Sequence, residues 1–467
     1  MKQFITLALT LVMGLSTYAQ NIVGTWEGAL DIKGQSLRIV MHIAETNEGY
    51  EGTMDSPDQG AKGIPVTSTT FENSVLTMEI KNAKITYKGI LNSDGVVQGT
   101  FKQAGKSLPL NLKKVSDEDG MPKRPQEPIA PYSYYSEDVQ FENEEAGVTL
   151  AGTLTLPKKR GKFPVVVLIS GSGPQDRDAQ VFGHKPFLVL SDYLTRNGIG
   201  VLRYDDRGTA SSTGDFGSAT SFDFASDANA AVRYLQTRKE VNKEQIGLVG
   251  HSEGGLISPI VASNNKDVAY IVLLAGPGTT GAQILLEQQA LIAEANGSGD
   301  TEIMQTREMS MAMFDLVAKH SDDVNEMRKA MKASLQKFLI ENPSYPVPPN
   351  MSQEQFIAVQ IQSITSPWMI NFLTYNPQDA LAKTTCPVLA INGDKDLQVP
   401  AQQNLTAIKK ALTDAGNLNI TTRQLKGMNH LFQECETGAP SEYQTIEETF
   451  SPIALSIVTN WILGQAE

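Results

Sequence analysis

Cysteine and histidine are scarce in this chain. Its 467 residues include 2 cysteines and 5 histidines, and these side chains are scattered along the sequence, so no metal-ligand cluster is predicted. Cys386 and Cys435 are compatible with one disulfide in an oxidising compartment or with two free thiols. The sequence alone leaves this choice open.

Long hydrophobic runs are also missing. The apolar stretch from Phe4 to Leu15 is about a dozen residues, shorter than the roughly 20 that a membrane-spanning helix needs. It follows Lys2 and precedes Thr17-Tyr18-Ala19, which is the pattern of a signal peptide. A retained membrane anchor is the alternative. We expect residues 1–19 to be cleaved, no stable membrane span, and a periplasmic or secreted protein.

Positive charge is in deficit. Lysine and arginine number 39 against 52 aspartate and glutamate residues, giving a net charge of −13. Such a surface repels phosphate backbones, so nucleic acid is not an expected partner. The length predicts at least two domains, and the 40% hydrophobic content is enough for packed cores.

The first part of the chain, residues 20–115, has the pattern of a small β domain. Short alternating stretches such as Val75–Ile80 and Val96–Phe101 lie between turn signals, which predicts an antiparallel barrel or sandwich. Trp26 and Tyr50 are interpreted as core residues, with a ligand pocket as the alternative. Residues 116–131 contain four prolines and many charges, so we predict a semi-extended linker there.

Residues 132–467 have a different pattern. Apolar, β-branched runs such as Val165–Ile169 and Ile246–Gly250 alternate with helix-like segments, which predicts a mostly parallel sheet covered by helices on both faces. The alternation stops over residues 276–380, where four helices are predicted as a cap insertion. Eight of the 15 methionines fall in this cap, and they are expected to form its adaptable core or to face a substrate.

A nucleophile motif, Gly250-His251-Ser252-Glu253-Gly254, lies between the strand Ile246–Val249 and a helix-compatible segment. Catalysis by serine on a parallel sheet needs a sharp strand-to-helix turn with small flanking residues. The helix that follows also helps to stabilise negative charge. We predict Ser252 as the nucleophile.

A serine nucleophile needs a base, and the base needs an orienting acid. In this fold class the acid and then the histidine follow the serine along the chain. His430 is the only histidine after the candidate acids and is the predicted base. Asp394 and Asp396 both follow a predicted strand. Asp396 is preferred because its loop has room to curl back towards His430, and Asp394 is expected to brace the turn.

An oxyanion needs two fixed donors. The backbone N–H of Glu253 is predicted as one. The other is expected from the glycine-containing loop after Ile169, from Ser172 or from Gly173. Asp205-Asp206-Arg207 is interpreted as a structural turn, with Arg207 paired to a nearby carboxylate. Asp176–Asp178 is expected either to shape the pocket or to form ion pairs.

Four segments together resemble a known family: Ile169–Asp178 (ISGSGPQDRD), Arg203–Gly208 (RYDDRG), Gly250–Gly255 (GHSEGG) and Asn429–Gln433 (NHLFQ). Over roughly residues 135–467 the chain resembles α/β-hydrolases of the EstD-type carboxylesterase group, which carry a serine aminopeptidase-like hydrolase domain. The resemblance implies the α/β-hydrolase fold and ester hydrolysis through an acyl-enzyme, without a metal or organic cofactor. It also implies Ser252, Asp396 and His430 as the triad.

The leading hypothesis is therefore a carboxylesterase for small-molecule esters, with acylated carbohydrates and plant-derived esters among the candidate substrates. A peptidase or amidase with the same triad is the second hypothesis. A glycan-binding role of the β domain is the third. The sequence gives neither the acyl and alcohol specificity nor the oligomeric state.

Overall fold

The computed structural model describes residues 22–32, 35–46, 49–56, 61–103, 105–115, 123–348 and 351–466. The predicted signal peptide (residues 1–19) and residues 116–122 of the predicted linker lie outside the described residues. The chain divides into two compact units between Lys123 and Arg124. Among the described helices, none combines the length and the hydrophobicity that a membrane span requires.

The first unit is an antiparallel barrel. Its described strands are β1 (Gly24–Ile32), β2 (Gln35–Thr46), β3 (Gly49–Ser56), β4 (Ala61–Pro65), β5 (Ser68–Glu72), β6 (Val75–Ile80), β7 (Ile85–Leu91), β8 (Val96–Gln103) and β9 (Lys106–Val115). Their order is β2-β1-β9-β8-β7-β6-β5-β3-β4, and β2 also pairs with β3. This extra pairing closes the sheet on itself and leaves β4 attached outside the ring, which confirms the predicted β domain.

The barrel is filled by its own side chains. Along β7, buried and more exposed positions alternate with the period of two that a strand with one buried face requires. Trp26 is 1% exposed and packs in the same core as Tyr87. Tyr50 is half-buried and meets Phe71 edge to face. The structure thus supports a core role for Trp26, not a surface aromatic that is free to stack on a ligand.

The second unit contains an eight-stranded sheet. Its strands are β10 (Tyr135–Asn143), β11 (Val148–Leu156), β12 (Phe163–Ile169), β13 (Gly200–Tyr204), β14 (Val241–His251), β15 (Tyr270–Leu274), β16 (Val388–Gly393) and β17 (Ile420–Leu425). The order is β10-β11-β13-β12-β14-β15-β16-β17. All pairings from β13 to β17 are parallel, whereas β11 runs antiparallel to both of its neighbours. This topology confirms the predicted α/β-hydrolase fold.

Helices cover both faces of this sheet, as the buried strands require. The helices are α1 (Pro186–Arg196), α2 (Ser221–Thr237), α3 (Glu253–Asn264), α4 (Gly281–Ala295), α5 (Asp300–Lys319), α6 (Val324–Glu341), α7 (Gln353–Ile364), α8 (Pro367–Thr374), α9 (Gln378–Leu381), α10 (Ala401–Asp414) and α11 (Pro452–Ala466). Val166 and Leu168 of β12 pack with α1 and α11. Val165 and Val167 pack with α2, α3 and α10 on the other face.

Helices α4 to α8 form the predicted cap between β15 and β16. They have a separate hydrophobic core. Met309, Met313, Met327 and Met331 are buried in that core, whereas Met304 and Met311 are exposed. The four buried methionines therefore help to hold the cap helices together.

The second half of the predicted linker belongs to the second unit. Arg124 donates to the backbone oxygens of Gly183 and Gln444. Gln126 accepts the backbone N–H of Thr449 at 2.6 Å. Tertiary hydrogen bonds therefore fix residues 124–126, although their composition is typical of a spacer.

Candidate active site

Ser252 lies at a sharp turn between β14 and α3. Its backbone has φ 55° and ψ −119°, a sparsely populated conformation for a residue with a side chain. The turn also requires glycine on both sides. A Cβ on Gly250 would lie 1.9 Å from the oxygen of Gly254, and a Cβ on Gly254 would lie 2.1 Å from the oxygen of Ile169. The local geometry is therefore the strained elbow that presents a serine above a parallel sheet.

His430 is held by Asp396 at the same edge of the sheet. The loops after β16 and β17 bring His430 Nδ1 within 2.8 Å of Asp396 Oδ2. The other carboxylate oxygen accepts the backbone N–H groups of Gln398 and Val399 at 2.8 and 2.9 Å. Because a carboxylate only accepts, the proton lies on His430 Nδ1 and leaves a lone pair on Nε2. Asp394 instead accepts the backbone N–H of Gly427 and braces the adjacent turn.

Ser252 and His430 line one cavity of about 310 Å³. Gly171 and Ser172 line it as well, and a Cβ on Gly171 would lie 3.1 Å from Ser252 Cβ. Six aromatic side chains form much of the remaining wall: Phe182, Phe187, Trp368, Phe372, Tyr443 and Phe450. A cavity of this size and composition fits a small, largely apolar ligand.

The loop after β12 is fixed by carboxylates that follow β13. The Asp206 carboxylate accepts hydrogen bonds from Ser170 Oγ at 2.7 Å and from the backbone N–H of Gln175 at 2.9 Å. It therefore holds both ends of the loop segment that contains Ser172. Burial raises the pKa of Asp206 to about 7, against the hydrogen bonds from Ser170 and Gln175. Arg177 pairs with Asp205 through two side-chain hydrogen bonds of 3.0 and 2.8 Å. The loop that approaches Ser252 is thus rigidly supported.

The side chain of Glu253 points away from solvent and is 2% exposed. Its Oε1 accepts Ser221 Oγ at 2.6 Å and Trp368 Nε1 at 2.7 Å. Burial raises the pKa of Glu253, whereas hydrogen bonds from Ser221, Trp368 and Ser172 oppose that rise. Through the two hydrogen bonds to its Oε1, Glu253 therefore joins the nucleophile turn to Ser221 and Trp368, which lie in α2 and α8.

His251 supports the backbone next to His430. Its Nε2 donates to the backbone oxygen of His430 at 2.9 Å. Burial, together with the neighbouring His430, lowers the pKa of His251 to about 4. A neutral His251 can therefore hold the loop that carries His430 at ordinary pH.

The hydrolase unit matches a known family over most of its length. Residues 146–425, more than half of the chain, match the sequence model of the X-Pro dipeptidyl-peptidase (S15 family). The chain belongs to the S15 family. It is therefore a member of a hydrolase family, in agreement with the enzyme class that the motifs predict.

Two curated proteins are similar to this S15-family chain. Esterase EstD of Thermotoga maritima is 25% identical over 311 residues, which cover 66% of this chain and 65% of that esterase, less than two thirds of its length. An uncharacterized 31.7 kDa protein from Escherichia coli, encoded in the traX-finO intergenic region, is 22% identical over 67% of this chain and 94% of that protein. The first relative agrees with the EstD-type resemblance of the motifs.

Solved esterase structures also resemble the S15-family chain. Est1E from Butyrivibrio proteoclasticus, with ferulic acid bound, is 17% identical and covers 70% of this chain and 99% of that one, with a TM-score of 0.41. An esterase from Pyrococcus furiosus is 16% identical, and the match covers 71% of this chain and 93% of that esterase, also with a TM-score of 0.41. Both scores are below 0.5, so the fold of the chain is established by its own strand order.

The structure brings most of the predicted site residues of this S15-family chain together. Ser252, Glu253, His430 and Ser172 line the cavity, and Asp396 holds His430. Gly173 has a positive φ of 92° and does not line the cavity, whereas Gly171, which the sequence analysis did not single out, does.

Other sequence interpretations are also decided by the structure. The side chains of Asp176–Asp178 are used in local turns and ion pairs, and none lines the cavity. Arg207 pairs with Asp227 at 2.6 Å, in agreement with the predicted structural turn. No described methionine of the cap lines the cavity, so the interpretation that they face a substrate is wrong. Cys386 and Cys435 are both free thiols.

Sequence reasoning missed the side-chain roles of Glu253, Asp206, His251 and Trp368. Glu253 and His251 flank the serine in the motif, so their place in the elbow was the available signal. No sequence signal marked Trp368, because it lies more than 100 residues along the chain from the Glu253 carboxylate to which it donates.

Proposed function

We propose that this chain is a serine carboxylesterase with Ser252 as nucleophile, His430 as base and Asp396 as the acid that orients His430. His430 Nε2 takes the proton of Ser252 as the serine oxygen attacks the ester carbonyl. The backbone N–H groups of Glu253 and Ser172 stabilise the oxyanion. The intermediate expels the alcohol, which receives a proton from His430, and water then hydrolyses the acyl-enzyme.

The charge of the cavity wall is the observation that favours ester substrates over X-Pro peptides. A dipeptidyl-peptidase substrate has a free α-ammonium group, which needs a carboxylate partner when it is desolvated. Glu253 is the only carboxylate among the described lining residues. Its side chain already accepts hydrogen bonds from Ser221 and Trp368 and has a raised pKa. A neutral ester makes no such demand on the site.

A substrate comparison tests this preference. We expect hydrolysis of p-nitrophenyl acetate and butyrate by the wild type, loss of activity in Ser252→Ala, and retained activity in Ser263→Ala, a matched serine change in α3 outside the cavity. Glycyl-prolyl-p-nitroanilide and its N-acetylated form separate the two classes further. A peptidase that binds the ammonium group prefers the free amine by orders of magnitude. Such a preference, with efficient cleavage, would contradict the carboxylesterase proposal.

The peptidase alternative keeps one favourable observation, which is membership of the S15 family. In that case Glu253 would have to release Ser221 or Trp368 and bind the ammonium group of the substrate. Glu253→Gln would then raise the KM of the free-amine substrate and leave the KM of neutral esters unchanged. The carboxylesterase proposal expects no such selective effect.

We also propose export to the periplasm or the medium. The support is the charged start, the apolar stretch and the small-residue site in residues 1–19. Fractionation of expressing cells, with sequencing of the mature N-terminus, tests this. A cytoplasmic protein that retains Met1 would contradict it.

A further inference from the structure

One buried carboxyl group connects the segments around the cavity. Glu253 lies at the first position of α3, directly after Ser252. Its Oε1 accepts Ser221 Oγ, at the start of α2, at 2.6 Å, and Trp368 Nε1, in cap helix α8, at 2.7 Å. The backbone N–H of Glu253 is one of the two predicted oxyanion donors. A single residue thus connects the cap and the start of α2 to the nucleophile turn.

One of these partners lies in the cavity wall, because Trp368 lines the same cavity as Ser252. The Trp368 ring stacks on Phe372 of the same helix, with ring centroids 5.2 Å apart. The indole N–H therefore connects the position of α8 to Glu253.

We propose that Glu253 is a positioning residue that couples the placement of cap helix α8 to the nucleophile turn, so that displacement of Trp368 slows acyl transfer at Ser252. The inference rests on the proposed serine-hydrolase function. Misplacement of catalytic groups by about 1 Å lowers rates by roughly 100-fold, so small movements of the turn have large effects. A displaced wall without this coupling would change substrate affinity alone.

Hydrogen bonding by Glu253 does not require its charge. An amide of the same shape offers one oxygen to Ser221 and Trp368. Glu253→Gln should therefore keep both hydrogen bonds, whereas Glu253→Leu removes them. The raised pKa of the buried carboxyl agrees with a site that tolerates a neutral group.

The test measures kcat and KM for p-nitrophenyl butyrate. Trp368→Phe removes the indole N–H and keeps an aromatic ring, and Ser221→Ala removes the hydroxyl that donates to the same carboxylate oxygen. Matched controls are Trp461→Phe, whose ring meets Tyr270 in the sheet core, and Ser310→Ala, whose hydroxyl donates to Gln289 within the cap.

We expect each test variant to lower kcat about tenfold or more, with KM changed less than threefold. The double variant should lose clearly less than the product of the two single losses, because both act through one carboxyl group. Glu253→Gln should remain within about fivefold of the wild type, and Glu253→Leu should lose about 100-fold. Multiplicative losses, effects on KM alone, or a Glu253→Gln variant as impaired as Glu253→Leu would each overturn the coupling.

A second readout separates this inference from the proposed ester substrate. A fluorophosphonate reacts with an activated serine: the Oγ–P bond forms as the P–F bond breaks, fluoride leaves, and the serine proton passes to His430. Its labelling rate, followed by mass spectrometry, should show the same order of variants even if no ester is hydrolysed. Failure to hydrolyse esters with the expected labelling order overturns only the ester substrate. Absence of labelling in the wild type overturns both proposals.

Discussion

Asp396→Asn is the most informative single change in this site, because the surroundings of the side chain determine how an asparagine must sit. Asp396 is 3% exposed, and its Oδ1 accepts two backbone N–H groups, from Gln398 and Val399. Only the oxygen of an asparagine can take that position, because the N–H₂ group would face two donors. The N–H₂ group must therefore point at His430 Nδ1.

The consequence is the wrong tautomer of His430. In the wild type, Nδ1–H donates to Oδ2 over 2.8 Å and Nε2 is free to accept a proton. An asparagine N–H₂ at the same place forces Nδ1 to accept, and the proton moves to Nε2. His430 then has no lone pair for Ser252. A loss of about 10⁴-fold in kcat is expected from such a change, which is ~5 kcal/mol in activation free energy.

Asp394→Asn is the matched control, two residues away in the same loop. Asp394 Oδ1 accepts the backbone N–H of Gly427 at 2.6 Å, and an asparagine oxygen can accept the same bond. We expect kcat within about fivefold of the wild type. Initial rates with p-nitrophenyl butyrate, together with thermal melts of both variants, test the pair. An Asp396→Asn enzyme within tenfold of the wild type, or a larger loss in Asp394→Asn, would refute the reasoning.

Three further changes test separate parts of the structure. Gly254→Ala should lower kcat by roughly 100-fold or more, because the new Cβ would lie 2.1 Å from the Ile169 oxygen. Gly299→Ala is the control and should not lower kcat, because its new Cβ would meet no atom within 4 Å. Equal activities of the two variants would be inconsistent with a tight elbow. Asp206 has a pKa raised to about 7, so its stabilisation is present below pH 4 and is lost as the pH rises towards 7. Asp206→Asn should therefore gain ~3 kcal/mol relative to the wild type between pH 5 and pH 8, measured by urea unfolding of both proteins at the two pH values; a constant difference would count against the raised pKa. Met331→Leu, buried in the cap core and absent from the cavity, should keep kcat/KM within about twofold, and a large rise in KM would show that this methionine affects substrate binding.

The fold could be predicted because its signals are local. The apolar run Val165–Ile169 is read directly as a strand buried on both faces, and the observed strand, Phe163–Ile169, differs only at its start. Four cap helices are predicted and correspond to α4–α7, whereas α8 (Pro367–Thr374) was missed. Alternating patterns of side chains determine such elements without any knowledge of their tertiary partners.

Features that depend on distant partners were missed or left open. A methionine such as Met327 is equally suited to a helix interface or to a substrate pocket, since both are apolar, and composition cannot distinguish them. Arg124 lies in a segment typical of a linker, yet its guanidinium binds the oxygen of Gln444, more than 300 residues later. The partner of the Glu253 carboxyl in α8 is equally distant. Contacts of this kind have no periodic signature.

The two motifs after β12 and β13 have a common explanation in the pairing of their strands. These strands are parallel neighbours, so the loops at their carboxyl ends lie side by side. Each of the two motifs supplies an arginine to an aspartate of the other: Arg177 to Asp205, and Arg203, near the end of β13, to Asp178.

Buried ion pairs of this kind add little net stability, but the loss of one partner is strongly unfavourable. Their effect is therefore to allow one arrangement of the loop and to exclude others. Ser172 lies in this loop, between the two residues that Asp206 holds. A donor that must already be in place when an oxyanion forms needs this kind of rigidity. The charges of both motifs thus act through the backbone of the loop, which explains why none of them lines the cavity.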